Sequence, residues 1–321
     1  MYLMLLGAAA LLAVCFVINK IYQKYAGTSL EAGLTFNTLI GFFAAIIFFF
    51  IGGLKFEITA FSLIMATAMT VVVMAYTLIG FRILKDGSVA VYSIFLMSGG
   101  MIVPYIYGLI FLDEEFSWLR TVGLLVLIFA VVISNFGTKG EKTDLKRLAM
   151  CICVFLLNGC VSVISKVHQV ETAFSKVGTE QFVMLGGIAK FVIGAIVLSC
   201  LLLIQKKHTG APNMTQNGEN GSDSYDSVEK AVRAGSAGIL SASVIKIVIP
   251  IIIFAAAVDG VSYFLQLKGA EDLPATVLYP MVTGASMIFS AAADFVVFRQ
   301  KPSRFVLASV ALCFVGTLMF L

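Results

Sequence analysis

The sequence predicts an all-α integral membrane protein with ten transmembrane helices arranged as two inverted five-helix repeats. Three observations predict it. Of 321 residues, 60% are apolar and 12% are charged, about half of the ~25% charged share usual in soluble domains. The mean hydropathy is +1.01, and the charges are gathered between long charge-free runs. Motifs of the first half recur in the second. Too few charges are present to coat a water-facing surface, so the bilayer is the expected solvent for most of the chain. A soluble globular enzyme, a nucleic-acid binder and a disordered scaffold are excluded on the same ground.

A spanning helix needs about 20 mostly apolar residues, because each rises ~1.5 Å through a core ~30 Å thick. Read between charges, the first span is 1–19, which lacks the basic start of a signal peptide and is followed by nine more. The second to sixth are the charge-free runs 32–54, 58–81, 87–112, 121–138 and 148–165. The seventh, 181–205, contains only Lys190; the eighth, 247–267, only Asp259; the ninth, 273–298, only Asp294. The tenth, 305–321, contains no charge. Residues 205–243 are rich in Gly, Asn, Ser and Asp and read as a flexible polar loop, with a short surface helix over 228–234.

Fifteen Lys and Arg residues, among them Lys20, Arg82, Arg147 and Arg299, lie in the odd-numbered loops, against five (Lys55, Arg120, Lys166, Lys176 and Lys268) on the other side. The positive-inside rule therefore puts the odd loops in the cytoplasm and both termini outside. The six cysteines all lie in apolar runs without metal or disulfide spacing and read as small packing residues.

The halves, 1–140 and 141–321, read as copies of one five-span unit. The fourth span ends in Asp113, Glu114, Glu115, Phe116, Ser117 and the ninth in Arg299, Gln300, Lys301, Pro302, Ser303. Asn19 and Lys20 close the first span as Ser165 and Lys166 close the sixth; Gly41 matches Gly187, and Tyr76 matches Tyr263. An odd number of spans inserts the second copy upside down, the arrangement that many transporters use to alternate access to a midplane site.

On these motifs the chain resembles the drug/metabolite transporter superfamily in its ten-helix EamA-like form. Glu114 or Glu115, Ser117 and Gly123 fit the family pattern in the first half, and Tyr279, Pro280, Gly284 and Ser303 fit it in the second. Gln300 and Lys301 stand where the family has an acidic residue. The resemblance implies a ten-helix transporter with cytoplasmic termini, opposite to the charge count. The first span lacks the glutamate that small multidrug relatives use for proton exchange, so that mechanism is not carried over.

Ionisable groups inside a bilayer cost about 2.5–3.5 kcal/mol on insertion scales and mark functional sites by default. Lys190 and Asp259 lie at similar depth and are expected to pair, as a substrate centre or as a structural salt bridge; Asp294 is expected to reach the cytoplasmic interface. Asp259, Ser262, Tyr263 and Gln266 form one polar stripe at helical spacing, Tyr279, Thr283, Ser286, Ser290 and Asp294 a second, and Asn158, Ser162 and Ser165 a third. Such stripes must face each other or a wet cavity. Asn158, Tyr263, Gln266, Tyr279 and Thr283 are thus candidate cavity residues, with Asn37 and Tyr76 as first-half counterparts. Gly187 and Gly194 share the Lys190 face and are expected to permit close helix approach, while Pro104, Pro250 and Pro280 would interrupt or kink their helices. His168 and His208 fall outside the charge-free runs, which argues against a histidine-built site.

The expected function is a secondary transporter of a small organic metabolite, such as an amino acid or another zwitterionic or neutral solute, or of a drug. It would work by alternating access in a bacterial plasma membrane, with a proton or counter-substrate as coupling partner. No cofactor, metal or nucleic acid is expected, and a monomer would suffice. The rival classes are a membrane-embedded enzyme acting on a lipid-linked substrate and a non-transporting scaffold.

Overall fold

The computed structural model describes residues 1–27, 29–86, 89–134, 145–209, 242–299 and 303–321. The described residues form ten helices: α1 (Tyr2–Ala26), α2 (Leu30–Ile51), α3 (Ala60–Asp86), α4 (Val89–Phe111), α5 (Trp118–Ser134), α6 (Leu145–Val170), α7 (Thr179–Thr209), α8 (Ala242–Asp272), α9 (Ala275–Phe298) and α10 (Arg304–Leu318). Eight are long and apolar enough to cross a membrane, and α5 and α10 are shorter apolar helices. Large apolar side chains such as Phe50, Ile64, Leu125, Phe129 and Leu203 lie on the outside of the bundle, which suits hydrocarbon and not water. The fold is that of a multi-pass α-helical membrane protein.

Local chemistry ends these helices where the polar residues permit. Gly27 leaves α1 at φ 83°, and Ser29 caps α2 by accepting from Ala32 N at 3.2 Å. Ser303 caps α10 by accepting from Val306 N. Asp113 and Arg299 adopt left-handed backbone just past α4 and α9. The three prolines lie inside helices that continue through them, so no broken helix forms at those points.

In the bundle, α2 packs on α7, α5 on α10 and α4 on α9. Around them α1 packs on α8 and α9, and α6 on α3 and α4. Small residues set the closest crossings. A Cβ on Gly41 would lie 2.8 Å from the Gly187 carbonyl oxygen, and one on Gly187 would lie 2.8 Å from that of Gly41. Gly123 and Gly316 meet in the same way between α5 and α10. Close approach of backbones supplies the packing that water-driven burial cannot supply in lipid.

One expectation changes, and another falls outside the described residues. The sixth helix does not stop at Ser165: α6 runs to Val170 and carries Lys166 and His168 inside, 5% and 0% exposed. A charge-free window ends at the first charge, but a helix continues wherever that charge finds partners. The predicted loop 205–243 and its surface helix lie largely outside the described residues, as does the Asp294 side chain.

Candidate functional site

Lys190, from the middle of α7, places Nζ 3.8 Å from Oδ2 of Asp259 on α8. The two side chains are 24% and 37% exposed, so the pair is neither dry nor turned to the outside of the bundle. It opens onto a chamber of about 460 Å³ walled by α1, α2, α3, α7 and α8. Asn37, Tyr76, Tyr263 and Gln266 line the same space, together with Cys15, Asn19 and Thr77. A smaller chamber of about 210 Å³ lies between α4, α6, α8 and α9. It is lined by Asn158, Ser162, Ser165, Tyr279 and Thr283, and it shares Leu12, Val161, Tyr263 and Gln266 with the larger one. All nine candidate residues thus line one of two adjoining chambers.

Their hydrogen bonds divide them into two groups. Asn158 Nδ2 donates to the Leu96 carbonyl at 2.7 Å, and Tyr279 Oη donates to that of Ser162 at 2.6 Å. Tyr263 Oη lies 2.8 Å from Ser165 Oγ and 3.0 Å from Met69 Sδ. These three hold α4, α6, α8 and α9 together. Asn37 Nδ2 reaches only Gly33 O of its own helix, and Gln266 Nε2 makes long contacts of 3.3–3.4 Å to Ser262. The amide oxygens of Asn37 and Gln266 have no hydrogen bond among the described residues, which leaves them for water or a guest.

The glycines predicted to admit close approach do so: Gly187 meets Gly41, and a Cβ on Gly194 would strike the Thr38 side chain. Cys15 lines the larger chamber, so it is more than core packing.

Sequence reasoning missed the end of the bundle where the even-numbered loops lie. There Lys166 Nζ donates to the carbonyls of Ala270 (2.8 Å) and Leu273 (2.6 Å) at the C-terminus of α8. One carboxylate, Glu114, accepts from Ala275 N (2.6 Å) and Thr276 N (2.9 Å) at the N-terminus of α9. Gly108 leaves room for it, because a Cβ there would lie 2.6 Å from Glu114 Oε2. A cation on a helix C-terminus and an anion on an N-terminus both match the helix dipole. Nearby, His168 Nε2 lies 2.8 Å from Ser62 Oγ, which also accepts from Val177 N, while the ring stacks on Phe182. Thr179 Oγ1 donates to Glu271 at 2.5 Å. The only sequence signals for this region were the Lys20 and Lys166 match and the acidic turn, which left Glu114 and Glu115 equivalent.

No family model matches the chain, and no curated protein matches it. A protein of known crystal structure resembles it in fold, at 13% identity with a TM-score of 0.66 over 98% of this chain and 94% of that one. At that identity the likeness extends to the fold alone. Among the described residues no group of His, Cys, Asp and Glu is arranged to hold a metal ion.

Proposed function

We propose that the chain is a secondary transporter of ten spanning helices in two inverted repeats, 1–140 and 141–321, moving a small zwitterionic or neutral organic solute by alternating access. One observation carries this reading: the Lys190 and Asp259 pair faces a hydrated-size chamber at the middle of an apolar bundle. A structural ion pair withdrawn from water needs close geometry and further hydrogen bonds to offset its desolvation. This one is loose at 3.8 Å and partly exposed, so both groups keep bonding capacity. Lys190 would meet a carboxylate or phosphate of the solute, and Asp259 an ammonium or a coupling proton. Gln266 and Asn37 would bond its uncharged polar atoms, with Tyr76 as the aromatic wall.

The repeat reading is supported by the packing. Exchanging α1–α5 with α6–α10 turns the α1 and α8 contact into that of α6 and α3, and the α1 and α9 contact into that of α6 and α4. The α2 and α7, α4 and α9, and α5 and α10 contacts map onto themselves. Gly41 and Gly187, matched between the halves, touch one another, as residues beside a two-fold axis must. The left-handed residues Asp113 and Arg299 and the cap-position serines Ser117 and Ser303 recur at one spacing. The EamA-like resemblance of the sequence agrees with this arrangement, and the charge count favours cytoplasmic odd loops.

Counterflow in proteoliposomes, run across amino acids and other small zwitterions, tests the reading. Lys190→Ala and Asp259→Ala are each expected to lower flux roughly tenfold or more, equivalent to about 1.4 kcal/mol or more. Wild-type flux in both variants, with the protein still monodisperse, would make the pair structural. Absence of flux for every solute class would favour the scaffold reading.

A further inference from the structure

The exchange symmetry of the helix contacts fails around α8, and also where α5 and α10 meet α9. α6 and α7 both pack on α8, whereas their counterparts, α1 with α3 and α2 with α3, make no comparable contact among the described residues. In a molecule built of two matched halves, such an imbalance marks one end closed and the other parted. The closed contact holds the Ser165 and Tyr263 hydroxyls at 2.8 Å, Lys166 on the Ala270 and Leu273 carbonyls, and Thr179 on Glu271.

Registers identify the residues that would close the other end. Ser165 follows Asn19 by the same 146 residues that separate Gly187 from Gly41. The second register is 186: α3 and α8 end at Asp86 and Asp272, α4 and α9 begin at Val89 and Ala275, and Asp113 precedes Arg299 by the same interval. Tyr263 therefore corresponds to Thr77, one residue beyond the tyrosine that sequence matching selects. Packing agrees with this register. Ser262, the counterpart of Tyr76, donates to Ala8 O on α1 at 2.8 Å, and Tyr76 packs on the α6 cluster of Cys151 and Val154, where Val154 is the counterpart of Ala8. Asn19 and Thr77 line the larger chamber from two helices, α1 and α3. Their side-chain bonds are local, from Gln23 to Asn19 at 3.3 Å and from Thr77 to Val73 O at 2.8 Å.

We propose that Asn19 and Thr77 form the latch of a second state: α1 closes on α3 with the Asn19 amide bonded to the Thr77 hydroxyl, the Ser165 and Tyr263 bond parts, and the chamber opens toward the even loops. The proposal rests on the alternating-access reading and adds the residues that switch.

Cys15 lines the chamber and reports access to it. The full chain is reconstituted, a short bifunctional thiol reagent is applied, and Cys15 labelling by a membrane-impermeant maleimide is read peptide by peptide. In Asn19→Cys with Thr77→Cys, a cross-link between the two is expected, and after it Cys15 labelling from the odd-loop side falls about tenfold or more. Linking Ser165→Cys with Tyr263→Cys leaves that labelling intact. An absent cross-link between positions 19 and 77, or Cys15 still reactive once the link is made, overturns the latch. Should the double variants fail to fold, Ser165→Ala alone is read from the even-loop side. Loss of one hydrogen bond of about 1 kcal/mol predicts Cys15 labelling there roughly fivefold faster, and an unchanged rate overturns the proposal. Labelling reads access and counterflow reads flux, so a switching chamber with no solute moved would sink the transporter reading while leaving the latch standing.

Discussion

A lysine and a carboxylate inside an apolar bundle can serve each other or a guest, and their hydration decides which. At 3.8 Å and partly exposed, Lys190 and Asp259 sit at the wet end of that range. Lys166 is the opposite case: it is 5% exposed and bonded to two carbonyls, with no role open to a solute. Replacing Lys166 by Met strands those carbonyls at the end of α8, where unsatisfied backbone groups cannot turn to water. The expected result is a melting midpoint in detergent several degrees lower, with Lys190→Met, whose partner is partly hydrated, falling less. Glu114 allows a graded test. Glu114→Gln keeps an acceptor for the α9 amides and should melt between the wild type and Glu114→Ala, which removes both bonds. The polar stripes made the chamber residues legible from spacing, since a helix repeats its faces every 3.6 residues. Lys166, His168 and Glu114 were not legible, because their partners lie about 100 or more residues away in sequence.

Between helices, glycine contacts set how near the axes come. The α2 and α7 crossing brings Gly41 and Gly187 into backbone contact, so a larger residue at either has nowhere to move except by separating the helices. Gly187→Val is expected to lower the yield of monodisperse protein in size-exclusion chromatography sharply. Gly7→Ala, where a Cβ would meet nothing within 4 Å, is expected to leave the yield unchanged. The long apolar helices of the described residues followed from hydropathy, but their ends did not. α6 outruns its charge-free window by five residues, to Val170, because the buried lysine is satisfied by another helix.

For the molecule as a whole, we propose from the charge bias that the odd-numbered loops face the cytoplasm. Asn217→Cys, in the polar stretch of sequence after the seventh span, is therefore expected to react with an impermeant maleimide in inverted vesicles and not in intact cells; the reverse result would flip the topology. Composition and charge spacing by themselves determined that this is a multi-pass helical bundle, because exclusion from water depends on what residues are and not on what they touch. They also marked the polar stripes, since a helix repeats its faces at a fixed spacing. Only the tertiary structure decided that Lys190 reaches Asp259, that the stripes enclose two adjoining chambers, and that α6 packs on α8 while α1 makes no comparable contact with α3 among the described residues. Those facts belong to pairs of helices far apart in the chain, and in lipid such pairs are selected by shape and hydrogen bonding at their crossings.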